Sequence, residues 1–310
     1  MKNERITGWG LPASFKPLAA LSCLRLAVLL ALFSLSLPHL PAAEPKILND
    51  IPYKSGTDLT AYEQERCKLD LFLPALKKDF ATILWFHGGG LKTGDNDMPF
   101  TRKIAQSFVD ADIAFVIVHY RYNPMVTYPA YVEDAAASFA WTVKNIAQHG
   151  GDPNKVFMAG HSAGGYLAAI TGLNPLYLKA QGLSLDHVAG LVPVSGQMMT
   201  HYTIREERGL EKFNVIADEA APIYHCRKDT PPILVLYADK DMASRQEEDM
   251  YFVSTMKAAG NKRVQGLLVT GRDHGSIARN MANHDDPARL ATINFINEVS
   301  REREQSKATK

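Results

Sequence analysis

Short apolar runs of strand length recur along this chain, and stretches with apolar residues at helical spacing lie between them. No other feature of the sequence constrains the fold as strongly. CKLDLFLP (67–74) alternates polar and apolar residues, as a half-buried strand does. ATILWF (81–86), AFVIVHYRY (114–122), KVFMAGHS (155–162), VAGLVPVSG (188–196), PPILVLYAD (231–239) and VQGLLVTGR (264–272) are more continuously apolar, as strands buried on both faces are. Helical patterns follow the triple glycine and run over 129–151, 163–173, 244–260 and 286–304. Ser244 and Gly260 punctuate the fourth of these, and Pro287 opens the last. Strands alternating with helices specify an α/β fold, with a mostly parallel central sheet and helices on both faces. In such sheets ligands gather at the carboxyl ends of the strands, so chemistry is expected just after each apolar run.

The rest of the composition excludes other classes. A chain of 310 residues buries a sizeable core without disulfides or metals. Its 34 Lys and Arg balance 33 Asp and Glu, with no basic stripe, which argues against a nucleic-acid partner. The first residues differ in kind. Lys2, Arg5, Lys16 and Arg25 precede LAVLLALFSLSL (26–37), and small residues follow at Ala42 and Ala43. That order is the order of a secretory signal peptide. The apolar run is shorter than the ~20 residues of a membrane span. The expectation is a cleaved leader over 1–43, a single α/β domain over 44–310, and export to the periplasm or medium. An uncleaved leader would be the one membrane contact. Cys67 and Cys226 would remain, and an exported location permits their pairing, but nothing in the sequence brings them together. Two separately buried thiols are expected.

At the strand ends, His87 is followed by Gly88, Gly89 and Gly90, where backbone N–H groups approach a ligand closely. Gly160-His161-Ser162-Ala163-Gly164 follows the 155–162 run and opens a helix. Gly-x-Ser-x-Gly is the signature of a nucleophile on a sharp strand-to-helix turn. Ordinary glycine usage of about 7% yields the pattern by chance in roughly one chain in ten, so its weight comes from its setting. A nucleophilic serine needs a base, and the base an orienting carboxylate, in the chain order Ser, acid, His. The 231–239 run opens onto Asp239-Lys240-Asp241, and both carboxylates stand as candidates. The 264–272 run opens onto Asp273-His274-Gly275, and His274 is the histidine after the acid that ends a strand.

WFHGGGLKTGD, GGDPNKVFMAGHSAGGYLAA, PPILVLYADKD and GRDHGSI together resemble the α/β-hydrolase esterase/lipase family, especially its hormone-sensitive-lipase-like and kynurenine-formamidase-like branches. The resemblance runs from about Lys68 to the final helix. It implies Ser162 as nucleophile, His274 as general base and Asp241 as the acid, with Asp239 as the alternative because the family's usual His-Gly before the acid is Tyr237-Ala238 here. It implies oxyanion donors at the N–H groups of Gly88, Gly89 and Ala163, and no metal or organic cofactor. Leu91, His161, Met198, Met242 and Ile277 are the candidate substrate-binding walls. The segment 196–222 is the candidate cap, with REER (205–208) read as a solvated face. The expected function is hydrolysis of small-molecule carboxylic esters of small or medium acyl chain. The alternatives are an amidase or arylformamidase on the same residues, where Leu91 stands in place of a tryptophan in one branch, and a non-catalytic binding protein of the same fold.

Overall fold

The strands are β1 (Lys46–Pro52), β2 (Lys68–Leu73), β3 (Phe80–Phe86), β4 (Ala114–Val118), β5 (Gly151–His161), β6 (Leu191–Val194), β7 (Ile233–Lys240) and β8 (Val264–Asp273). They form one sheet in the order β1-β2-β4-β3-β5-β6-β7-β8. The computed structural model describes residues 45–94 and 99–308, and these belong to one compact unit, Glu44–Lys310. The leader expected over 1–43 lies outside the described residues. No helix among the described residues is long and apolar enough to cross a membrane.

From β4 through β3 to β8 every pairing is parallel, whereas β1–β2 and β2–β4 are antiparallel. The mostly parallel sheet is as expected. The edge strand β1 has no counterpart in the sequence reading: KILNDIP is largely exposed and its register breaks between Leu48 and Ile51, so it lacks a regular period-2 signal.

The helices are α1 (Ala61–Arg66), α2 (Pro99–Val109), α3 (Ala130–Asn145), α4 (Ala163–Leu173), α5 (Pro175–Ala180), α6 (Tyr202–Glu207), α7 (Arg245–Ala258), α8 (Ser276–Arg279) and α9 (Pro287–Ala308). Successive side chains of a strand point to opposite faces, and this sorts the core into two layers. Leu84, Phe86, Val116, Met158 and Val235 pack under α3, α4 and α7. Ile83, Trp85, Ile117, Phe157 and Leu236 pack under α2, α8 and α9. Truncating such a side chain to alanine costs about 2–5 kcal/mol, so each strand is pinned in register from both sides. Its carboxyl end, where the candidate residues sit, is pinned with it. Cys67 and Cys226 are both free thiols.

Candidate active site

The turn from β5 into α4 is built so closely that only glycine fits around it. A β-carbon on Gly164 would stand 1.8 Å from the Phe86 carbonyl oxygen, and one on Gly160 would stand 2.5 Å from the Gly164 backbone. The first turn of α4 is therefore pressed against the end of β3. Ser162, at the corner, has φ 57° and ψ −117°, a conformation that costs a residue with a β-carbon about 1–3 kcal/mol. Its N–H donates to the Val194 carbonyl at 2.9 Å and its carbonyl accepts from Tyr166 N–H at 3.0 Å. A serine before a helix ordinarily caps it with its hydroxyl. Here the side chain makes no cap and turns to an imidazole: Ser162 Oγ lies 2.9 Å from His274 Nε2.

His274 Nδ1 lies 2.6 Å from Asp241 Oδ1, so the three residues form one hydrogen-bonded line. The Asp241 side chain is almost wholly enclosed. Burial alone would raise its pKa, but hydrogen bonds from His274 and Ser195 outweigh burial and hold it below the usual carboxylate range. Asp239, the alternative acid, accepts from Arg272 N–H at 3.0 Å instead and ties the end of β7 to the end of β8. His274 sits in a tight turn closed by Asp273, whose Oδ1 accepts from Gly275 N–H at 3.0 Å and Ser276 N–H at 2.7 Å.

Ser195, which sequence reasoning missed, donates from Oγ to Asp241 Oδ2 at 2.5 Å. It is fully buried, has φ 46°, and follows β6. A small polar residue at yet another strand end was the available signal. With Met242 N–H donating to Oδ1 at 2.7 Å, both oxygens of Asp241 are occupied.

The glycine loop lies beside the serine: a β-carbon on Gly88 would come within 3.4 Å of Ser162 Cβ. Among the described residues the N–H groups of Gly88, Gly89 and Ala163 donate to no protein acceptor. Ala163 opens α4, where helical N–H groups lack internal partners and the dipole favours negative charge. The loop is held from above and below. Thr203 Oγ1 donates to the Gly90 carbonyl at 2.5 Å, and Tyr120 hydroxyl donates to the His87 carbonyl at 2.7 Å.

The expected substrate walls fare differently. Leu91, Met198 and Ile277 have no exposed surface: Leu91 and Met198 belong to the layer under α3, α4 and α7, and Ile277 to the opposite layer. They are core residues, because large apolar side chains beside a motif fill the interior before they face solvent. His161 supports the base. Its Nε2 donates to the His274 carbonyl at 2.6 Å, and a carbonyl only accepts, so Nε2 carries the proton. Burial, reinforced by the His274 ring, pushes its pKa down to about 3, so it stays neutral. Met242 lines a cavity of about 270 Å³, between the start of α7 with the residues just before it and the segment after β6. A larger cavity, of about 700 Å³, opens at the opposite end of the sheet beside Lys77, Lys155 and Glu304. It holds no nucleophile paired with a base and is remote from Ser162.

The segment 196–222 contains α6, and its REER run is not a solvated face. Arg205 is 4% exposed. Glu207 accepts from Tyr128 N–H at 2.9 Å and Asn123 Nδ2 at 3.1 Å, while Glu206 and Arg208 face outward. Arg205 and Glu207 leave the helix on different sides and each meets its own partners, Asn214 for one and Asn123 and Tyr128 for the other, which a charge count does not register.

Residues 83–278 match a protein family described as alpha/beta hydrolase fold. Esterase LipC of Mycobacterium tuberculosis (strain ATCC 25618 / H37Rv) is 27% identical over 239 residues, covering 71% of this chain and 57% of LipC. Carboxylesterase NlhH of Mycobacterium tuberculosis (strain CDC 1551 / Oshkosh) is 32% identical over 196 residues, covering 63% of this chain and 55% of NlhH. The chain thus spans little more than half the length of these relatives. A thermophilic esterase of the Planctomycetes species Thermogutta terrifontis superposes with a TM-score of 0.64 at 24% identity, over 84% of this chain and 94% of that one, a likeness of fold.

Proposed function

We propose that this chain, which belongs to the alpha/beta hydrolase fold family, is a serine carboxylesterase that hydrolyses small-molecule esters of small or medium acyl chain. The observation that carries the reading is the unbroken line from Ser162 Oγ through His274 to Asp241 on a strained turn. His274 Nε2 takes the Ser162 proton as the oxygen attacks the ester carbonyl. The N–H groups of Gly88, Gly89 and Ala163 receive the oxyanion, each donor contributing about 10²–10³ in rate. Asp241 orients the imidazole and stabilises its cation. The imidazolium gives its proton to the departing alcohol, leaving an acyl group on Ser162. Water, activated by His274, then releases the acid.

The segment 196–222 acts as the cap over this site. The esterase names of LipC and NlhH support ester over amide chemistry. The signal-like residues 1–43 support export, and the amino-terminal sequence of the secreted product tests it.

The decisive experiment is hydrolysis of a 4-nitrophenyl ester chain-length series beside N-formylkynurenine. Ser162→Ala is expected to lower ester turnover by about 10⁴-fold or more while its circular dichroism stays unchanged. Preference for the formamide, or full activity in Ser162→Ala, overturns the assignment.

A further inference from the structure

The cavity beside Met242 is lined by Arg205, Arg245 and Lys212 against a single carboxylate, Glu248. Two of the cations are themselves enclosed, Arg205 at 4% and Arg245 at 6% exposed. A buried guanidinium ordinarily meets a carboxylate or fills its five donors with other acceptors. Neither does so here. Among the described residues no carboxylate lies within 4.0 Å of either group. Arg205 Nη1 donates to the Asn214 carbonyl at 2.6 Å, but its Nε has no acceptor. Arg245 Nη1 reaches the Ser195 carbonyl only at 3.3 Å.

The acids nearby balance the pair only in part. Glu248 attracts Arg205 without forming an ion pair with it, and accepts from Met199 N–H at 2.6 Å. Asp249 is buried without a hydrogen-bond partner, and burial raises its pKa well above the carboxylate range, so it is held as the neutral acid. Asp241 is committed to His274 and Ser195.

The cavity adjoins the candidate chemistry on two sides. Met242 directly follows Asp241, and Arg245 binds the carbonyl of Ser195, whose hydroxyl holds Asp241. Tyr202, another wall, overhangs the glycine loop: a β-carbon on Gly90 would stand 1.8 Å from its hydroxyl. Phe213, Val215 and Met242 supply an apolar side to the lining, which Gln197 and Ser244 complete with polar groups.

Resting on the esterase reading, we propose that this cavity is a carboxylate subsite, and that the preferred substrates are esters bearing a free carboxylate on a short apolar body. Arg205 and Arg245 bind the carboxylate, planar forks matched to its two oxygens. Lys212, exposed at the rim, draws the anion in, and Ser162 attacks the ester at the other end of the same molecule.

Matched ester pairs test this on the purified full chain. One pair places the anion on the acyl side: 4-nitrophenyl hydrogen glutarate against its methyl-capped diester. The other places it on the alcohol side: 4-acetoxybenzoate against methyl 4-acetoxybenzoate. The readout is the ratio of kcat/KM, anionic over capped, within each protein, so a general loss of folded enzyme cancels. At low salt the ratio is expected to be about 10 or more in at least one pair. It should fall to about 1 in Arg205→Met, recover in part in Arg205→Lys, and drop about 2- to 3-fold in Lys212→Met. If Arg205→Met does not fold, the Lys212→Met ratio and its collapse at high salt decide. Capped esters turned over as well as or better than the free acids in both pairs would overturn the subsite and leave the esterase reading standing. So would ratios that neither substitution moves. No turnover of any ester, with 4-nitrophenyl acetate included, would overturn both.

Discussion

The catalytic turn and the proposed cap are held in different ways. The floor, the β5–α4 turn, is fixed by backbone pressed against backbone: Gly160, Gly164 and the end of β3 leave no room for a β-carbon, and Ser162 is clamped through both its N–H and its carbonyl. The proposed roof, 196–222, is held by side chains reaching across the fold, with Glu207 gripping Asn123 and Tyr128 and Thr203 gripping Gly90. A backbone-built floor gives the reacting oxygen one position. A side-chain-built roof sets what lies opposite it and changes by single substitutions. Chemistry is therefore expected to be brittle and selectivity adjustable.

The largest effect expected on the floor is chemical. Asp241→Asn should lower kcat by about 10⁴-fold, whereas Asp239→Asn should stay within about 2-fold, as kinetics on one 4-nitrophenyl ester will show. Equal losses in the two would erase the distinction between the acids.

Next is packing. Gly164→Ala should destabilise the fold by about 3 kcal/mol or more in denaturant unfolding, because its new methyl group meets the Phe86 carbonyl and not a flexible side chain. A near-neutral result would mean that the floor yields as the roof does.

For the roof, Glu207→Gln should cost about 1–2 kcal/mol, since an amide cannot accept from both Tyr128 N–H and Asn123. KM should rise more than kcat falls. A kcat loss comparable to that of Asp241→Asn would place the roof inside the chemistry.

The gentlest test is of pH. His161 is held neutral in the folded chain down to about 3, against an ordinary 6.5. The unfolded chain therefore binds the extra proton first, and stability present above pH 6.5 is lost as pH falls toward 3. In His161→Gln that decline should be shallower, read from melting temperature against pH.

The same contrast explains what the sequence made legible. Ser162 and His274 could be read because a serine between glycines and a histidine after an acid stand at strand ends in the required chain order. The acid stayed ambiguous because Asp239 and Asp241 stand two apart, where strand alternation does not distinguish them, and only their contacts do: Arg272 N–H for one, His274 for the other. Ser195 was hidden because a serine acquires meaning only from the carboxylate it meets, 46 residues away in the chain. Leu91, Met198 and Ile277 read as walls because they are apolar and near a motif, and the same property buries them. Arg205 lay in a charge run whose members are told apart only by the partners each meets. The strand-helix alternation gave the parallel sheet, while β1, exposed and broken in register, had no pattern to show.

The positive φ of Ser162 sets stability against activity. Glycine at this position would adopt the same turn without steric cost, so the relaxed version of this backbone is an inert one. Selection for greater stability has its most direct gain at the residue that the chemistry cannot give up, and any stabilised descendant that keeps its activity must find the gain elsewhere in the sheet.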